Sequence, residues 1–314
     1  MNTKSLKNFL YGLIGTRKGL LCSLAVLAGS MLLPAAHGQD PGATITKLGD
    51  LPAVLKESSG LEFTHGDNIW TIVDSNLAIL YCLDKTGQIK KAIHLNNLNK
   101  GWEDLSQDDS GNFYIGDFGN NFNNRKSSKI YKIPPPDSIK GNVVTADIIE
   151  FHYPDQHEFP PPDKRKNFDM DAMVCFGNSI YLFSKNRTKP YTGYSKLYKL
   201  PNTPGTYTAE LIDSVYLGPG HMLETWVTGA DISPNKKTLA LLTHGKVWLF
   251  RCFTGDAFFK GKKETIDLHH YSQKEGICFA DQETLYISDE RTQNILGGSL
   301  YQLILKSNTN DPCK

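Results

Sequence analysis

The sequence lacks several of the short motifs that mark common protein classes. It contains six cysteines but no Cys-x-x-Cys pair, so neither a zinc site nor a thiol redox motif is indicated. It contains no Gly-x-Ser-x-Gly motif, which argues against a serine hydrolase of the α/β type. The glycine-containing stretch 116–121 has no lysine, so it does not match a phosphate-binding loop. Any functional residues must therefore be dispersed along the chain.

The sequence also lacks an excess of positive charge. It has 34 Lys and Arg residues against 33 Asp and Glu residues. Nucleic-acid-binding proteins normally carry a basic patch or stripe, so we expect no nucleic-acid partner.

Only the N-terminal segment contains a long apolar run, at residues 20–33. Four basic residues precede the run, and the small residues Ala36 and Gly38 follow it, as in a secretory signal peptide. We predict that residues 1–38 are removed on export, with an uncleaved anchor as the alternative. The mature chain, residues 39–314, is then expected to be periplasmic or secreted and to have no membrane span. It would carry 30 basic against 33 acidic residues, because the removed segment holds four basic residues and no acidic ones.

A repeated unit runs through the mature chain. In each unit an aliphatic residue is followed by a polar turn and then by a strand that ends in a polar or charged residue. The step between the two residues is 13 in the first unit and 12 in the other four. The pairs are Leu61 and Asp74, Leu105 and Asp117, Met173 and Lys185, Ile232 and His244, and Ile277 and Asp289. A fixed internal step indicates a repeat architecture.

Each unit divides into four short strands separated by turn signals, except the last, which is one strand short. Residues 43–49, which precede the first unit, alternate in polarity and can supply the missing strand. We therefore predict an all-β fold for residues 39–314: a β-propeller of five four-stranded blades, closed by the N-terminal strand. Six blades are the alternative, because the second and third units contain long insertions.

The longest connections are expected on one face of the propeller. They follow the second strand of a blade at 119–125, 186–191 and 290–294, or they join successive blades at 154–169 and 218–228. Both kinds of connection emerge on the same face because the strands of a blade alternate in direction. Long loops on one face indicate that binding takes place there.

The same geometry gathers charged residues at one mouth of the central channel, where the first strand of each blade starts and the second ends. The first strands contribute Glu57, Glu103, Asp104, Asp171, Asp231 and Glu275, the second strands contribute Asp74, Asp117, Lys185, His244 and Asp289, and the loops add Arg125, Arg187 and Arg291. We predict that these residues contribute to a binding site.

Three interpretations of this mouth stay open. Calcium prefers six to eight oxygen ligands, for which Glu103, Asp117 and Asp289 are the metal candidates. Paired carboxyl groups can act as general acid and base, for which Glu103, Asp171 and Asp231 are the catalytic candidates. The acids can also be structural, accepting loop N–H groups and pairing with Lys and Arg.

These interpretations lead to three functional hypotheses. The first is an exported propeller that binds a ligand, with Ca²⁺ as a candidate cofactor. The second is a hydrolase of phosphate esters, lactones or glycosides, with arginines that hold an anionic or hydroxylated substrate. The third is a scaffold for another protein of the cell envelope. The expected partner is thus a small molecule or an envelope protein, and the chain is expected to be a monomer.

Five segments resemble a known family: Lys56–Leu61, Trp102–Leu105, Tyr114–Asn121, Val227–Pro234 and Glu275–Ile277. They are similar to exported, mostly uncharacterised propeller proteins of the Bacteroidetes, over nearly the whole mature chain. More distantly, the pattern is similar to esterase-like phytases and to calcium-dependent propellers of the gluconolactonase and NHL type. The resemblance implies a site at the channel mouth and often a divalent cation, but it transfers no reaction.

The sequence departs from that family pattern at two positions. Lys185 and His244 stand where the pattern tends to have an acidic residue. This difference weighs against a metal ring made only of carboxylates.

Overall fold

The computed structural model describes residues 43–292 and 297–306, and these form five sheets arranged as the blades of a propeller. The predicted all-β fold with five blades is confirmed, and the alternative of six blades is not adopted. Residues 1–38, the predicted signal peptide, lie outside the described residues.

Blades 1 and 2 contain four antiparallel strands each and one additional short strand. Blade 1 consists of β2 (Ser58–Thr64), β3 (Asn68–Val73), β4 (Ile79–Leu83) and β5 (Ile89–Leu95), with β9 (Val143–Val144) at its outer edge. Blade 2 consists of β6 (Trp102–Gln107), β7 (Phe113–Asp117), β8 (Ser128–Ile133) and β10 (Asp147–His152), with β14 (Gly205–Thr208) at its outer edge.

Blades 3 to 5 are four-stranded sheets. Blade 3 consists of β11 (Met170–Phe176), β12 (Ser179–Ser184), β13 (Tyr194–Pro201) and β15 (Glu210–Tyr216). Blade 4 consists of β16 (Gly229–Ile232), β17 (Thr238–Leu242), β18 (Lys246–Arg251) and β19 (Lys262–Asp267). Blade 5 consists of β20 (Lys274–Phe279), β21 (Thr284–Asp289), β22 (Ser299–Leu305) and β1 (Ala43–Asp50).

The N-terminal strand closes the ring as the alternating pattern of residues 43–49 predicts. Strand β1 pairs antiparallel with β22, from Ala43 opposite Leu305 to Asp50 opposite Ser299. Blade 5 thus takes its outer strand from one end of the described chain and its three other strands from the opposite end. This pairing protects an edge of β22 that would otherwise be open.

The two additional strands were not predicted. Strand β9 pairs parallel with β5, and β14 pairs parallel with β10. Each lies in the connection between the last two strands of one blade and adds to the outer edge of the blade before it. At two and four residues, they are too short to show a periodic sequence pattern.

Among the described residues, helical structure is limited to single turns within the connections. The described part of the chain contains α1 (Met222–Thr225) and four 3₁₀ turns, at Ala53–Leu55, Pro136–Ser138, Asp163–Arg165 and Phe258–Lys260. No helix in this part has the length and apolar character needed to span a membrane.

The hydrophobic core lies between the blades. The aliphatic and aromatic residues of neighbouring sheets pack face to face, for example Met173 and Leu182 of blade 3 with Tyr114 and Ile130 of blade 2. The first strands of the blades contact one another around the centre in the order β2, β6, β11, β16, β20 and back to β2. These five inner strands surround the channel, and their starting ends define the mouth to which the predicted site belongs.

Candidate functional site

Three inner strands start with a β-bulge, and each bulge contains an acidic residue. In β6 the ladder passes from Trp102 to Asp104, in β11 from Met170 to Ala172 and in β20 from Lys274 to Gly276. The residues left out of the pairing are Glu103, Asp171 and Glu275. A bulge changes the direction of a side chain relative to a regular strand, and here it frees three carboxyl groups from the ladder pattern.

Lys185 joins two of these carboxyl groups. Its Nζ donates a hydrogen bond to Asp171 Oδ2 and lies 3.7 Å from Glu275 Oε2. All three side chains are at most 9% exposed, so the ion pairs are poorly screened by water. Burial lowers the pKa of Lys185, but the charges of Asp171 and Glu275 outweigh this effect and raise it, which keeps the ammonium charged.

His244 approaches the same cluster from blade 4. Its Nε2 lies 3.6 Å from Glu275 Oε1, just beyond hydrogen-bond distance, and this nitrogen has no hydrogen-bond partner among the described residues. Burial opposes ionisation of Glu275, but Lys185 and His244 together lower its pKa. By contrast, burial raises the pKa of Asp171 to about 8, although the Lys185 ammonium acts in the opposite direction. The cluster therefore contains carboxyl groups of different proton affinity.

Glu103 occupies the blade 2 side of the mouth. It is 7% exposed, and within 43–292 and 297–306 its carboxyl group has no hydrogen bond or ion pair. Burial raises its pKa well above the usual range, and the charges of Asp74 and Asp171 raise it further. Burial and the charge of Glu57 likewise raise the pKa of Asp74 to about 6.

Gly119 supports the Glu103 carboxyl group. A Cβ at position 119 would lie 2.8 Å from the Glu103 carboxyl carbon and even closer to Oε1. The main chain of residue 119 is held by a hydrogen bond from its N–H to the carbonyl of Gly101, at 3.2 Å. Glycine at this position therefore leaves the space that the Glu103 side chain fills.

Arg187 connects the loops above the mouth. Its guanidinium donates to Asp169 and to Asn121, and it stacks on the ring of Trp226 at 4.6 Å. The other Asp169 oxygen accepts the N–H of Asn120 at 2.6 Å. Loops of blades 2 and 3 and the connection before blade 4 are thus fixed around one cation.

Asp169 and Trp226 were missed by the sequence reasoning. Asp169 is fully buried and precedes β11 by one residue, outside the repeated positions. Trp226 follows α1 in the long connection before blade 4. The only available signal for Trp226 was its place in a long loop on the binding face.

Asp104 and Asp231 lie on inner strands, and each accepts a hydrogen bond from the main chain of the next blade. Asp104 accepts the N–H of its neighbour Leu105 at 2.9 Å and of Met173 in blade 3 at 2.8 Å. Asp231 accepts the N–H of its neighbour Ile232 at 2.7 Å and of Phe279 in blade 5 at 2.6 Å. Their contacts fit the structural interpretation of the acids. The predicted catalytic role of Asp231 and binding role of Asp104 stay predictions.

Asp117 and Asp289 contact the third strand of their own blades. Asp117 accepts from Tyr131 at 3.2 Å and forms an ion pair with Arg125 at 2.7 Å. Asp289 accepts from Tyr301 at 2.9 Å and from the N–H of Ser299 at 2.8 Å. Asp117 and Asp289, two of the three metal candidates, thus form their contacts within their own blades. Within the described residues, no hydrogen bond or ion pair connects either of them to Glu103.

The remaining predicted residues lie at the edge of the mouth. Glu57 is partly exposed and lies 3.7 Å from Lys56, while Arg291 donates to the carbonyl of Leu51 at 3.0 Å. Arg125 also donates to the carbonyl of Gly119 at 3.0 Å. Among the three predicted arginines, Arg125 pairs with Asp117, and Arg187 pairs with Asp169 and lies within electrostatic reach of Asp171 and Glu103.

The described ranges contain no group of three or more His, Cys, Asp or Glu residues placed to hold a metal ion. In blades 3 and 5 the Lys185 ammonium supplies the positive charge between Asp171 and Glu275 that a bound cation would otherwise supply. The calcium assignment stays a prediction.

The fold and this mouth define a class: a five-bladed β-propeller with a buried, acid-rich polar cluster at one end of the channel. No family model and no curated protein matches the chain. Solved β-propeller structures do match it.

Three of these solved structures illustrate the similarity. Virginiamycin B lyase from Staphylococcus aureus is 15% identical with a TM-score of 0.39, over 82% of this chain and 69% of that one. The PQQ-bound aldose sugar dehydrogenase from Streptomyces coelicolor is 8% identical with a TM-score of 0.45, over 86% and 100%. A luciferin-regenerating enzyme is 10% identical with a TM-score of 0.45, over 84% and 95%. At such identities the likeness concerns the fold alone.

Proposed function

We propose that the protein binds a small polar ligand at the channel mouth formed by Asp74, Glu103, Asp171, Lys185 and Glu275. The observation that carries this proposal is the unpartnered carboxyl group of Glu103, in a side chain that is almost wholly buried. Buried polar groups in folded proteins nearly always have a hydrogen-bond partner. A ligand in the mouth would supply the missing partner.

The surroundings of Glu103 support a binding role. Lys185 and Arg187 hold their neighbouring acids in fixed positions, and Trp226 adds an aromatic surface below Arg187. Pockets for small molecules commonly combine such surfaces with a few convergent polar groups. The long loops of blades 2 and 3 that enclose this mouth are fixed by Arg187.

A thermal-shift screen of small polar metabolites tests the proposal. Compounds that raise the melting temperature of the wild-type protein should lose their effect on the Glu103→Gln variant. They should keep their effect on Asp163→Asn, which changes an exposed acid in a loop of the same face. Ligands that bind Glu103→Gln and wild type equally would place the binding site elsewhere.

A second candidate function is hydrolysis of phosphate esters, lactones or glycosides. It is favoured by the raised pKa of Glu103, which results from burial and from the charges of Asp74 and Asp171, and which keeps a proton available for a leaving group. Chromogenic substrates of the three classes would be compared on wild type and Glu103→Gln. A hydrolase of this kind should lose at least 100-fold in kcat in the variant. Equal rates would remove Glu103 as the acid.

We also propose that the protein acts after export, as a periplasmic or secreted monomer. The predicted cleavage after residue 38 motivates the first part. Mass spectrometry of the chain isolated from its native host would measure the N-terminus, and intact residues 1–38 would contradict the proposal. Light scattering would measure the oligomeric state.

A further inference from the structure

Two neighbouring carboxyl groups in the mouth have no hydrogen-bond or ion-pair partner within residues 43–292 and 297–306. Asp74 directly follows β3, and Glu103 is the second residue of β6, a strand that contacts β3. Neither side chain forms a hydrogen bond or an ion pair with the rest of the described chain. Among the charged groups that act on Glu103, Asp74 has the largest effect. Two acids of adjacent blades therefore face the same space.

The positions of both acids are fixed by one buried asparagine. Asn99 donates from Nδ2 to the carbonyl of Val73 at 2.9 Å, next to Asp74. Its Oδ1 accepts the N–H of Trp102 at 3.0 Å, next to Glu103. Because Asn99 holds the residue before each acid, the spacing of the two carboxyl groups is built into the fold.

We propose that the ligand of this mouth carries an ammonium or guanidinium group that lies between Asp74 and Glu103. This inference rests on the proposed binding function and adds a chemical class to it. An organic cation provides both the positive charge and the N–H donors that two carboxyl groups require.

The cations of the protein itself are engaged elsewhere. Lys185 contacts Asp171 and Glu275, and Arg187 contacts Asp169. Among the five residues that define this mouth, Asp74 and Glu103 are thus the acids that lack a cation of the described chain at contact distance; nearby Glu290 also lacks one but accepts a hydrogen bond from Gln273. Ionising a buried carboxyl group without a counter-ion is costly, in agreement with the raised pKa values of both acids, and a bound cation offsets that cost.

A second polar group of the cluster also lacks a hydrogen bond within the described residues. His244 Nε2 is buried and lacks a hydrogen-bond partner among the described residues, in a side chain only 7% exposed that points towards Glu275. This imidazole and the Glu103 carboxyl group lie on different blades of one mouth. Both are polar groups that the described protein leaves without a hydrogen bond.

An organic cation with one positive charge suits the site between Asp74 and Glu103 better than calcium does. Calcium takes six to eight oxygen ligands. One Lys185 ammonium lies between Asp171 and Glu275 and balances one of their two possible negative charges, whereas Asp74 and Glu103 have no ion pair with the described residues. Two carboxyl groups match the hydrogen-bonding capacity of one ammonium or guanidinium group.

The pKa values of Asp74 and Glu103 provide a way to detect the binding of a cation. Burial raises the pKa of both groups, and so do neighbouring acids: Asp74, Asp171 and Asp169 act on Glu103, and Glu57, Glu275 and Asp169 act on Asp74. The Lys185 ammonium acts in the opposite direction on both. A cation between them favours the ionised forms and lowers both pKa values. Binding should therefore release protons and become tighter as the pH rises from about 5 to about 8.

Calorimetry with matched probes tests the inference on the purified protein. Glucosamine is compared with glucose, and propylamine with 1-propanol, at constant ionic strength; calcium chloride is a separate arm. We expect each amine to bind at least tenfold more tightly than its hydroxyl counterpart, with proton release in two buffers of different ionisation enthalpy. Asp74→Asn and Glu103→Gln should each weaken amine binding at least tenfold, while Asp163→Asn should leave it unchanged.

The outcomes separate this inference from the proposed function. If glucose or propanol binds as well as its amine, and Glu103→Gln abolishes that binding, the ligand site stands and the cationic class is wrong. If calcium binds and the amines do not, the cation is a metal. If amines bind equally to wild type and to both variants, the site between Asp74 and Glu103 is wrong. Absence of any binding by the four organic probes and calcium would overturn the inference.

Discussion

The main chain of Gly119 lies directly against the carboxyl group of Glu103, with no space for a Cβ between them. Gly119 follows the second strand of blade 2, and Glu103 starts the first strand of the same blade. The contact fixes the Glu103 carboxyl group by shape alone, because that group has no hydrogen bond or ion pair with the described residues.

Gly119→Ala should displace Glu103 and destabilise the protein. The added methyl group would overlap the carboxyl group, and relieving such an overlap typically costs about 1–3 kcal/mol. Urea unfolding measures the change in the free energy of unfolding. Gly220→Ala is the matched control, since its Cβ would approach only the flexible end of the Glu224 side chain. A Gly119→Ala protein as stable as that control would show that Glu103 can move freely.

Lys185→Met should be strongly destabilising. It removes the cation between two buried acids, and breaking a buried ion pair from one side costs about 3–5 kcal/mol. Adding Asp171→Asn should recover part of the loss, because the number of unpaired acids falls. Lys199→Met, which opens a partly exposed pair with Asp256, should cost at most about 1 kcal/mol in the same urea experiment. Equal losses in the two lysine variants would contradict the buried ion-pair network.

Asp104→Asn should weaken the contact between blades 2 and 3. Each Asp104 oxygen accepts one backbone N–H, and an asparagine amide would present its NH₂ group to one of them. Leaving a buried donor unpaired costs about 1–3 kcal/mol. Chemical denaturation measures this loss, with the exposed Asp109→Asn as a control that should change stability little. A neutral effect of Asp104→Asn would mean that water or a shifted backbone replaces the bond.

Stability should decrease as the pH rises from about 4 to about 8, the interval between ordinary carboxyl pKa values and those of the buried acids. Burial raises the pKa of Asp74 to about 6, of Asp231 to about 7 and of Asp171 to about 8. In this interval the folded protein binds more protons than the unfolded chain, so each added pH unit favours unfolding.

Urea unfolding at half-unit pH steps measures this slope. Asp74→Asn should flatten the curve mainly between about pH 4 and pH 6, since that group titrates there in the folded protein. A free energy of unfolding that rises steadily over the whole interval would contradict the raised pKa values.

Much of the fold follows from the sequence because strand repeats are local patterns. The step of 12 or 13 residues separates two adjacent antiparallel strands, and it recurs in all five blades. Residues 43–49 alternate in polarity, which predicts the closing strand that pairs with β22. The short strands β9 and β14 carried no such signal.

The site was only partly predictable. The repeat predicted that five residues lie at one mouth: Glu103, Asp171, Lys185, His244 and Glu275. Strand direction is sufficient for this prediction, because it decides which strand ends are neighbours. It also assigned Asp117 and Asp289 to that mouth but did not predict their hydrogen bonds with Tyr131 and Tyr301 of the third strands. A side chain's direction depends on its partners across the sheet, which a repeat of strand ends does not specify.

By itself, therefore, the sequence predicted the class of fold, five blades with six as the alternative, the closure and the mouth at which polar residues gather. Strand period and turn residues act over short distances, so they are readable without coordinates. Only the tertiary structure decided which acids have protein partners. The bulges at Glu103, Asp171 and Glu275 depend on ladder register, and the links from Asp104 and Asp231 depend on backbone N–H groups of the next blade. The unpartnered pair of Asp74 and Glu103 becomes visible only once Lys185 and Arg187 are seen to contact other acids.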